Sequence, residues 1–209
     1  TNAKPRRVVI QLMPPPFSQG WVGNIRKLAA APWWDGLSIN RVQDNYVVQW
    51  GVADGEDTAK ARALPAGLAT MREQEYVVPG PKMRTTFDQM LPGLRKQFPE
   101  FGELFPETEI KGEVFAAELR KRFRADPYAD ANMIFQGWPM GVDFKNGLPW
   151  PVHCYGMVGV GRDLSPNTGS GAELYTVIGH APRHLDRNIA LVGRVVEGMQ
   201  WLSALPRGG

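Results

Sequence analysis

Three side chains of one short segment, Arg41, Tyr46 and Gln49, have the chemistry of a small binding or catalytic site. A guanidinium group stays charged, donates hydrogen bonds and accepts none, so it can bind an electron-rich atom of a ligand. The segment has the pattern of a β-hairpin, in which alternate residues share a face, so these side chains can be brought together. Arginine on such a face is more often a surface or salt-bridged residue, and the segment alone leaves both interpretations open.

The histidines His153, His180 and His184 and the single cysteine Cys154 are the next candidates for chemistry. A zinc site is poorly supported, because no Cys-x-x-Cys pair exists and strand neighbours such as His153 and Cys154 point to opposite faces. We therefore predict ordinary packing or surface histidines and no metal. One cysteine cannot form an intrachain disulfide, so it leaves the redox compartment open.

Two glycine-rich segments match binding motifs only in part. The segment from Gly159 to Gly161 starts like a phosphate loop but lacks the third glycine and a following helix. The segment from Gly169 to Gly171 has the wrong spacing for the nucleophile of a hydrolase. Neither nucleotide binding nor acyl transfer is indicated.

The composition is that of a globular protein. Of 209 residues, 43% are hydrophobic and 22% charged, which excludes a disordered tail. The net charge of +3 comes from scattered Lys and Arg whose runs are too short to indicate nucleic-acid binding. No apolar run reaches the roughly 18 residues of a membrane helix, so we expect no membrane insertion.

Short strands and turns surround the hairpin. β-Branched and alternating patterns predict strands at residues 7–12, 37–42, 46–50, 155–160, 174–178 and 189–196. Helical spacing covers residues 21–32, and a short helix is expected at 198–205. Many short strands with Gly and Pro turns favour a mainly β barrel or sandwich with a few helices attached.

Residues 52–152 have a different texture, because prolines recur along them and leave room only for short elements. Two helices are predicted there, one from Thr85 to Phe98, interrupted by Pro92, and one from Glu113 to Phe123. We interpret 52–152 as a long insertion within one domain that spans residues 1–209.

The segments 33–42 (WWDGLSINRV) and 46–51 (YVVQWG) resemble the signature of cyclophilins, the peptidyl-prolyl cis/trans isomerases. Further pieces agree in order: the strand and helix at 8–12 and 24–28, the loop SPNT at 165–168, the strand ELYTVI at 173–178 and the closing segments within 184–199. The resemblance implies a closed antiparallel β-barrel with flanking helices and rotation of X-Pro bonds in proline-containing polypeptides. It also implies a monomer that needs no cofactor.

On this resemblance Arg41 matches the family's catalytic arginine. The residues that it implies around the substrate are Tyr46, Val47, Gln49, Arg162, Asp163, Glu173, Tyr175, His184 and Leu185. Departures from the family pattern make the pocket more polar and acidic. They are Asn40 for His, Asp163 for Asn, Glu173 for Gln, Tyr175 for Phe, His184 for the Trp of many members and Ile189 for His.

The resemblance also bears on location and extent. The sequence of these segments is most similar to that of a divergent bacterial branch of the family, whose members are generally exported. A periplasmic location is therefore expected, with a cytoplasmic one as the alternative. An opening strand before Val8 and a closing strand after the last helix are not found, so a trimmed form is expected.

Two other functions stay open. One is a catalytically weak module that binds proline-containing peptides or a partner protein. The other is partner docking through the 52–152 insertion, with the barrel as scaffold.

Overall fold

The structure is a computed structural model that describes residues 4–52, 61–78, 92, 96, 99, 126–143, 146 and 148–208. The helices predicted at 85–98 and 113–123 lie outside these residues, apart from 92 and 96. The chain divides into two compact units, one of Thr1–Tyr76 with His153–Gly209 and one of Val77–Val152. None of the helices in the described ranges is long and apolar enough to cross a membrane.

The described elements are mostly strands. They are β1 (Val9–Leu12), α1 (Gln19–Ala30), β2 (Ser38–Val42), β3 (Val47–Gly51), β4 (Ala131–Phe135), β5 (Trp138–Asp143), β6 (Leu148–Pro151), β7 (Met157–Val160), β8 (Leu174–Val177), β9 (Leu191–Glu197) and α2 (Met199–Ser203), with 3-10 helices at Glu73–Tyr76 and Arg183–Leu185. The strands and α-helices predicted for the first unit are confirmed, with ends shifted by a few residues.

The first unit is built on a six-stranded sheet in the order β1-β9-β7-β8-β3-β2, in which every neighbouring pair is antiparallel. Strand alternation gives the sheet two apolar faces. Val48 enters a buried cluster with Ile178 and Leu202 of α2. Its neighbour Val47 points the other way, into a second cluster with Tyr175.

Helix α1 forms where apolar residues recur at helical spacing. Trp21, Val22, Ile25 and Leu28 are buried along one side. Asn24 is buried among them and satisfies its amide by donating to the carbonyls of Ala69 and Ser170 at 2.8 and 2.9 Å. The helix therefore holds the loop that leads into β8.

The second unit contains a three-stranded antiparallel sheet in the order β4-β5-β6, which the sequence did not predict. The prolines that argued against strands are inside it: Pro139 lies in β5, and Pro149 and Pro151 lie in β6. A proline lacks the amide donor but keeps its acceptor, and the Pro139 carbonyl accepts from the Val152 N–H at 3.0 Å. Buried Trp138, with Trp150, packs the sheet despite the prolines.

Candidate active site

One row of residues crosses the first sheet at the candidate site. Arg41 on β2 pairs with Gln49 on β3, Gln49 pairs with Tyr175 on β8, and Tyr175 pairs with Gly159 on β7. Residues that are paired across antiparallel strands project from the same face, and neighbouring strands are about 4.8 Å apart. The sequence therefore folds a charged, an amide and an aromatic side chain into one line.

Arg41 occupies the exposed end of this row, on an edge strand of the sheet. Its guanidinium carbon lies 5.8 Å from the ring centroid of Tyr46, and its Nη2 donates to Oε1 of Gln43. The aromatic contact holds the positive charge beside the cluster of Val47, Tyr175 and Val177, against which Tyr46 packs. The remaining N–H groups of the fork can serve a ligand.

An apolar cluster, the candidate pocket, lies beside the row. Val47, Tyr175 and Val177 are buried together, and Tyr46 and Ile189 pack against them while partly exposed. The His184 ring stacks on Tyr46 with their centroids 6.2 Å apart and their planes 11° apart. This wall of rings and branched aliphatic side chains suits a small apolar ring.

Gln49 is held by an acidic neighbour. Its Nε2 donates to Oε1 of Glu173 at 2.7 Å, and Asn40 Nδ2 donates to the same oxygen at 3.3 Å. The carboxylate fixes the amide of Gln49, whose second N–H stays available for a carbonyl oxygen.

Arg162 and Asp163 lie in a nearby loop. Arg162 donates through Nη2 to Asn188 Oδ1 at 2.6 Å and through Nε to the Asn188 carbonyl at 3.0 Å, which ties the segment after β7 to the segment before β9. Asp163 is exposed. Leu185 is buried in the 3-10 helix beside His184.

The sequence-predicted residues thus fall into two sets. The row and the pocket bring together Arg41, Tyr46, Val47, Gln49, Glu173, Tyr175 and His184. Arg162 instead donates to backbone carbonyls and to the Asn188 side chain, and with Asp163 and Leu185 it forms the loop set.

Sequence reasoning gave His153 only a packing or surface role and did not connect it with Asp186 or Tyr175. Nε2 of His153 lies 2.7 Å from the hydroxyl oxygen of Tyr175, and Nδ1 lies 2.9 Å from Oδ1 of Asp186. The backbone N–H of His153 donates to the same Oδ1 at 3.0 Å. The available signal was Tyr175 itself, because a tyrosine in an apolar cluster needs a partner for its hydroxyl.

Burial and hydrogen bonding set the charges of His153, Asp186 and Tyr175. Burial is the largest influence on His153 and lowers its pKa, although Asp186 opposes the shift. Burial alone would raise the pKa of Asp186, but hydrogen bonds from His153 and Arg183 outweigh it and lower that pKa. Burial raises the pKa of Tyr175 well above its ordinary value. At neutral pH these three residues are therefore a neutral imidazole, a carboxylate and a neutral phenol, respectively.

The described residues offer no group of three histidine, cysteine or carboxylate side chains that could hold a metal ion. The chemistry of the site is that of an exposed guanidinium, two amides held by a carboxylate, and an apolar cluster. Such a set can bind a peptide segment and stabilise a change in its amide without forming a covalent bond.

Comparison with known proteins identifies the class. The family of cyclophilin type peptidyl-prolyl cis-trans isomerases/CLD matches residues 7–208. The chain belongs to this family, as its motifs indicated.

A solved structure agrees on the fold. Cyclophilin AquaCyp293 from Hirschia baltica is similar with a TM-score of 0.56 and 19% sequence identity, over 96% of this chain and 64% of that chain. At this identity the likeness shows a mainly β cyclophilin fold. No curated protein matches the chain.

Proposed function

We propose that this protein is a peptidyl-prolyl cis/trans isomerase that accelerates rotation of X-Pro bonds in polypeptides. The observation that carries the proposal is the row from Arg41 through Gln49 to Tyr175, which ends beside an apolar pocket. Membership of the family supports the same activity.

The reaction requires stabilisation of a twisted amide. The two isomers differ by only about 0.5 to 1 kcal/mol, but the barrier between them is roughly 18 to 20 kcal/mol. When the bond twists, resonance is lost and the prolyl nitrogen regains a lone pair. Arg41 can donate to that lone pair, because a guanidinium has no acceptor of its own and stays charged.

The pocket and Gln49 would position the substrate. The proline ring would pack against the cluster of Tyr46, Val47 and Tyr175, whose apolar surface would exclude water and strengthen the arginine's hydrogen bond. Gln49 Nε2 would donate its second hydrogen to a neighbouring carbonyl. An acceleration of about 10⁴ corresponds to about 5.4 kcal/mol of barrier, within reach of one charge-assisted contact plus positioning.

We also propose that the sheet closes into the barrel expected of the family and that the protein acts as an exported monomer on proline-containing chains. Support for closure is a bridge at the β2 edge, where the Val42 N–H donates to the Gly208 carbonyl at 2.5 Å and the Gly208 N–H donates back at 3.0 Å. The resemblance to an exported bacterial branch supports the location.

A second candidate is a module that binds proline peptides without useful turnover. The hydrogen bond from Arg41 to Gln43 favours it, because a guanidinium occupied by its own strand must reorient to reach the substrate. A module of this kind would bind the peptide without accelerating its exchange, in the wild type as in Arg41→Ala.

Exchange NMR on a short Ala-Pro peptide tests the proposal. We expect the wild type to accelerate isomerisation and Arg41→Ala to lose at least about 100-fold of that acceleration, since one charged donor contributes about 3 kcal/mol. Arg26→Ala, which removes an exposed arginine from α1, is the matched control and should behave as wild type. Peptide binding without acceleration by the wild type would reject the isomerase in favour of the module.

A further inference from the structure

A chain of hydrogen bonds leads away from Tyr175, and its two bonds to the His153 ring are buried. It links the Tyr175 hydroxyl to His153 and His153 to Asp186, and Asp186 accepts in turn from Nε of Arg183 at 2.5 Å. The exposed fraction is 0% for His153 and 8% for Asp186. A buried polar chain in which each link is bonded is rigid, because breaking any link leaves a polar group unsatisfied.

The direction of each bond follows from the carboxylate. Asp186 can only accept, so Nδ1 of His153 carries the imidazole hydrogen and Nε2 is an acceptor. The Tyr175 hydroxyl therefore donates to Nε2, away from the pocket. Tyr175 therefore presents only its aromatic ring to Val47 and Tyr46.

Gly159 provides the room for this arrangement. A Cβ atom on Gly159 would lie 2.2 Å from Cζ and 2.3 Å from the hydroxyl oxygen of Tyr175. The phenol therefore lies directly over the glycine on the neighbouring strand. The hydrogen bond and the missing side chain are separate features that select the same ring position.

We propose that His153 is a positioning residue that, oriented by Asp186, fixes the Tyr175 ring as one wall of the proline pocket. The inference rests on the proposed function, since it assigns the wall to a bound proline ring. His153 touches neither the peptide nor the rotating bond. It acts on peptide affinity through Tyr175, whereas Arg41 acts on the rate of rotation.

Two substitutions of His153 separate its two hydrogen bonds. In His153→Gln the longer side chain brings an amide oxygen to the place of Nε2, so it can accept from Tyr175. In His153→Asn the shorter amide replaces Nδ1, so the bond to Asp186 is kept and the bond to Tyr175 is lost. His180→Asn, at an exposed histidine, is the control.

The experiment measures the dissociation constant of an Ala-Pro peptide and the exchange rate of the saturated protein for each folded variant. We expect His153→Asn to bind about 5-fold more weakly, the equivalent of one hydrogen bond, and His153→Gln to bind within about 2-fold of wild type. The saturated exchange rate should stay within about 2-fold in both. In a Tyr175→Phe background, His153→Asn should cause no further loss of affinity.

Equal affinity of the two folded His153 variants would overturn the inference, since a purely structural role destabilises both without favouring Gln. If His153 variants do not fold, Tyr175→Phe decides: about 5-fold weaker binding supports the inference, and unchanged binding overturns it. A wild type that neither binds nor accelerates rejects the proposed function, and the inference falls with it. Acceleration by the wild type with no effect of these variants rejects the inference alone.

Discussion

The hairpin edge with Arg41 and the buried chain behind Tyr175 meet in one row of the sheet but differ in almost every physical respect. Arg41 is exposed, charged and bonded to a neighbour on its own hairpin. His153 is fully buried, neutral and bonded at both ring nitrogens across the fold. A charge that must follow a twisting amide benefits from freedom, whereas a wall that selects a ring shape benefits from rigidity. Under the proposed function, the rate of rotation depends on one end of the row and peptide affinity on the other.

The largest effect on stability is expected from a substitution that disrupts the turn of the hairpin. A Cβ on Gly179 would lie 2.0 Å from the carbonyl carbon of Asn45, in the turn between β2 and β3. Because the obstacle is backbone, Gly179→Ala should lower the free energy of unfolding by about 3 kcal/mol, measured by urea denaturation. Gly23→Ala in α1 has nothing within 4 Å and should raise it by about 0.5 to 1 kcal/mol. Equal stabilities of the two variants would contradict the packing described for the turn.

The next largest effect is expected from a substitution at the buried end of the row, beside Tyr175. Gly159→Ala should displace the Tyr175 ring, lower stability by about 1 to 3 kcal/mol and weaken peptide binding by about 10-fold. The saturated exchange rate should change less than the affinity, because Arg41 is on another strand. A folded Gly159→Ala protein with wild-type affinity would show that the ring position does not matter for binding.

Acid should weaken the buried end before the hairpin. Burial depresses the folded pKa of His153 below its ordinary value of 6.5, and, despite burial, hydrogen bonds from His153 and Arg183 hold the pKa of Asp186 below its ordinary 3.8. Groups with depressed folded pKa values contribute stability that is present above the unfolded pKa and lost as the pH falls through the folded one. The urea midpoint should therefore fall as the pH drops below about 6.5, and again below about 3.8. His153→Gln should lose the first part of this dependence. A midpoint that rises on acidification would contradict a neutral His153 and an ionised Asp186 in the folded protein at neutral pH.

The smallest expected effect is at Glu173. Glu173→Gln keeps an amide oxygen that can accept from Gln49 and Asn40, so affinity for an uncharged Ala-Pro peptide should change by less than about 2-fold. Glu173→Ala removes the acceptor and should weaken binding more. The order of the two variants, measured by the same titration, tests whether Glu173 acts by holding Gln49.

Much of the fold could be predicted because local patterns and tertiary packing agree in the first unit. The apolar spacing of α1 and the alternation of β2 and β3 appear in the structure as predicted. The sheet of β4, β5 and β6 could not be predicted, because prolines such as Pro139 indicate against strands. In the structure the proline carbonyls still accept hydrogen bonds, and the burial of Trp138 outweighs the missing N–H donors.

For the site, Arg41 and the pocket residues followed from family motifs, which preserve spacing along the chain. The chain of hydrogen bonds from Tyr175 through His153 to Asp186 did not, because His153 and Asp186 are 33 residues apart and no local sequence pattern links them. Only the fold brings them to Tyr175. A polar atom placed in a pocket that the family pattern makes apolar was the one sign that a buried partner existed.

The most direct test of the division between rate and affinity is one titration series on wild type, Arg41→Ala and Tyr175→Phe, each shown to be folded. Exchange NMR of an Ala-Pro peptide gives the dissociation constant and the saturated isomerisation rate together. We predict that Arg41→Ala loses the rate and keeps its affinity within about 3-fold, and that Tyr175→Phe binds about 5-fold more weakly and keeps the rate. Loss of rate and affinity in equal measure by both variants would contradict it.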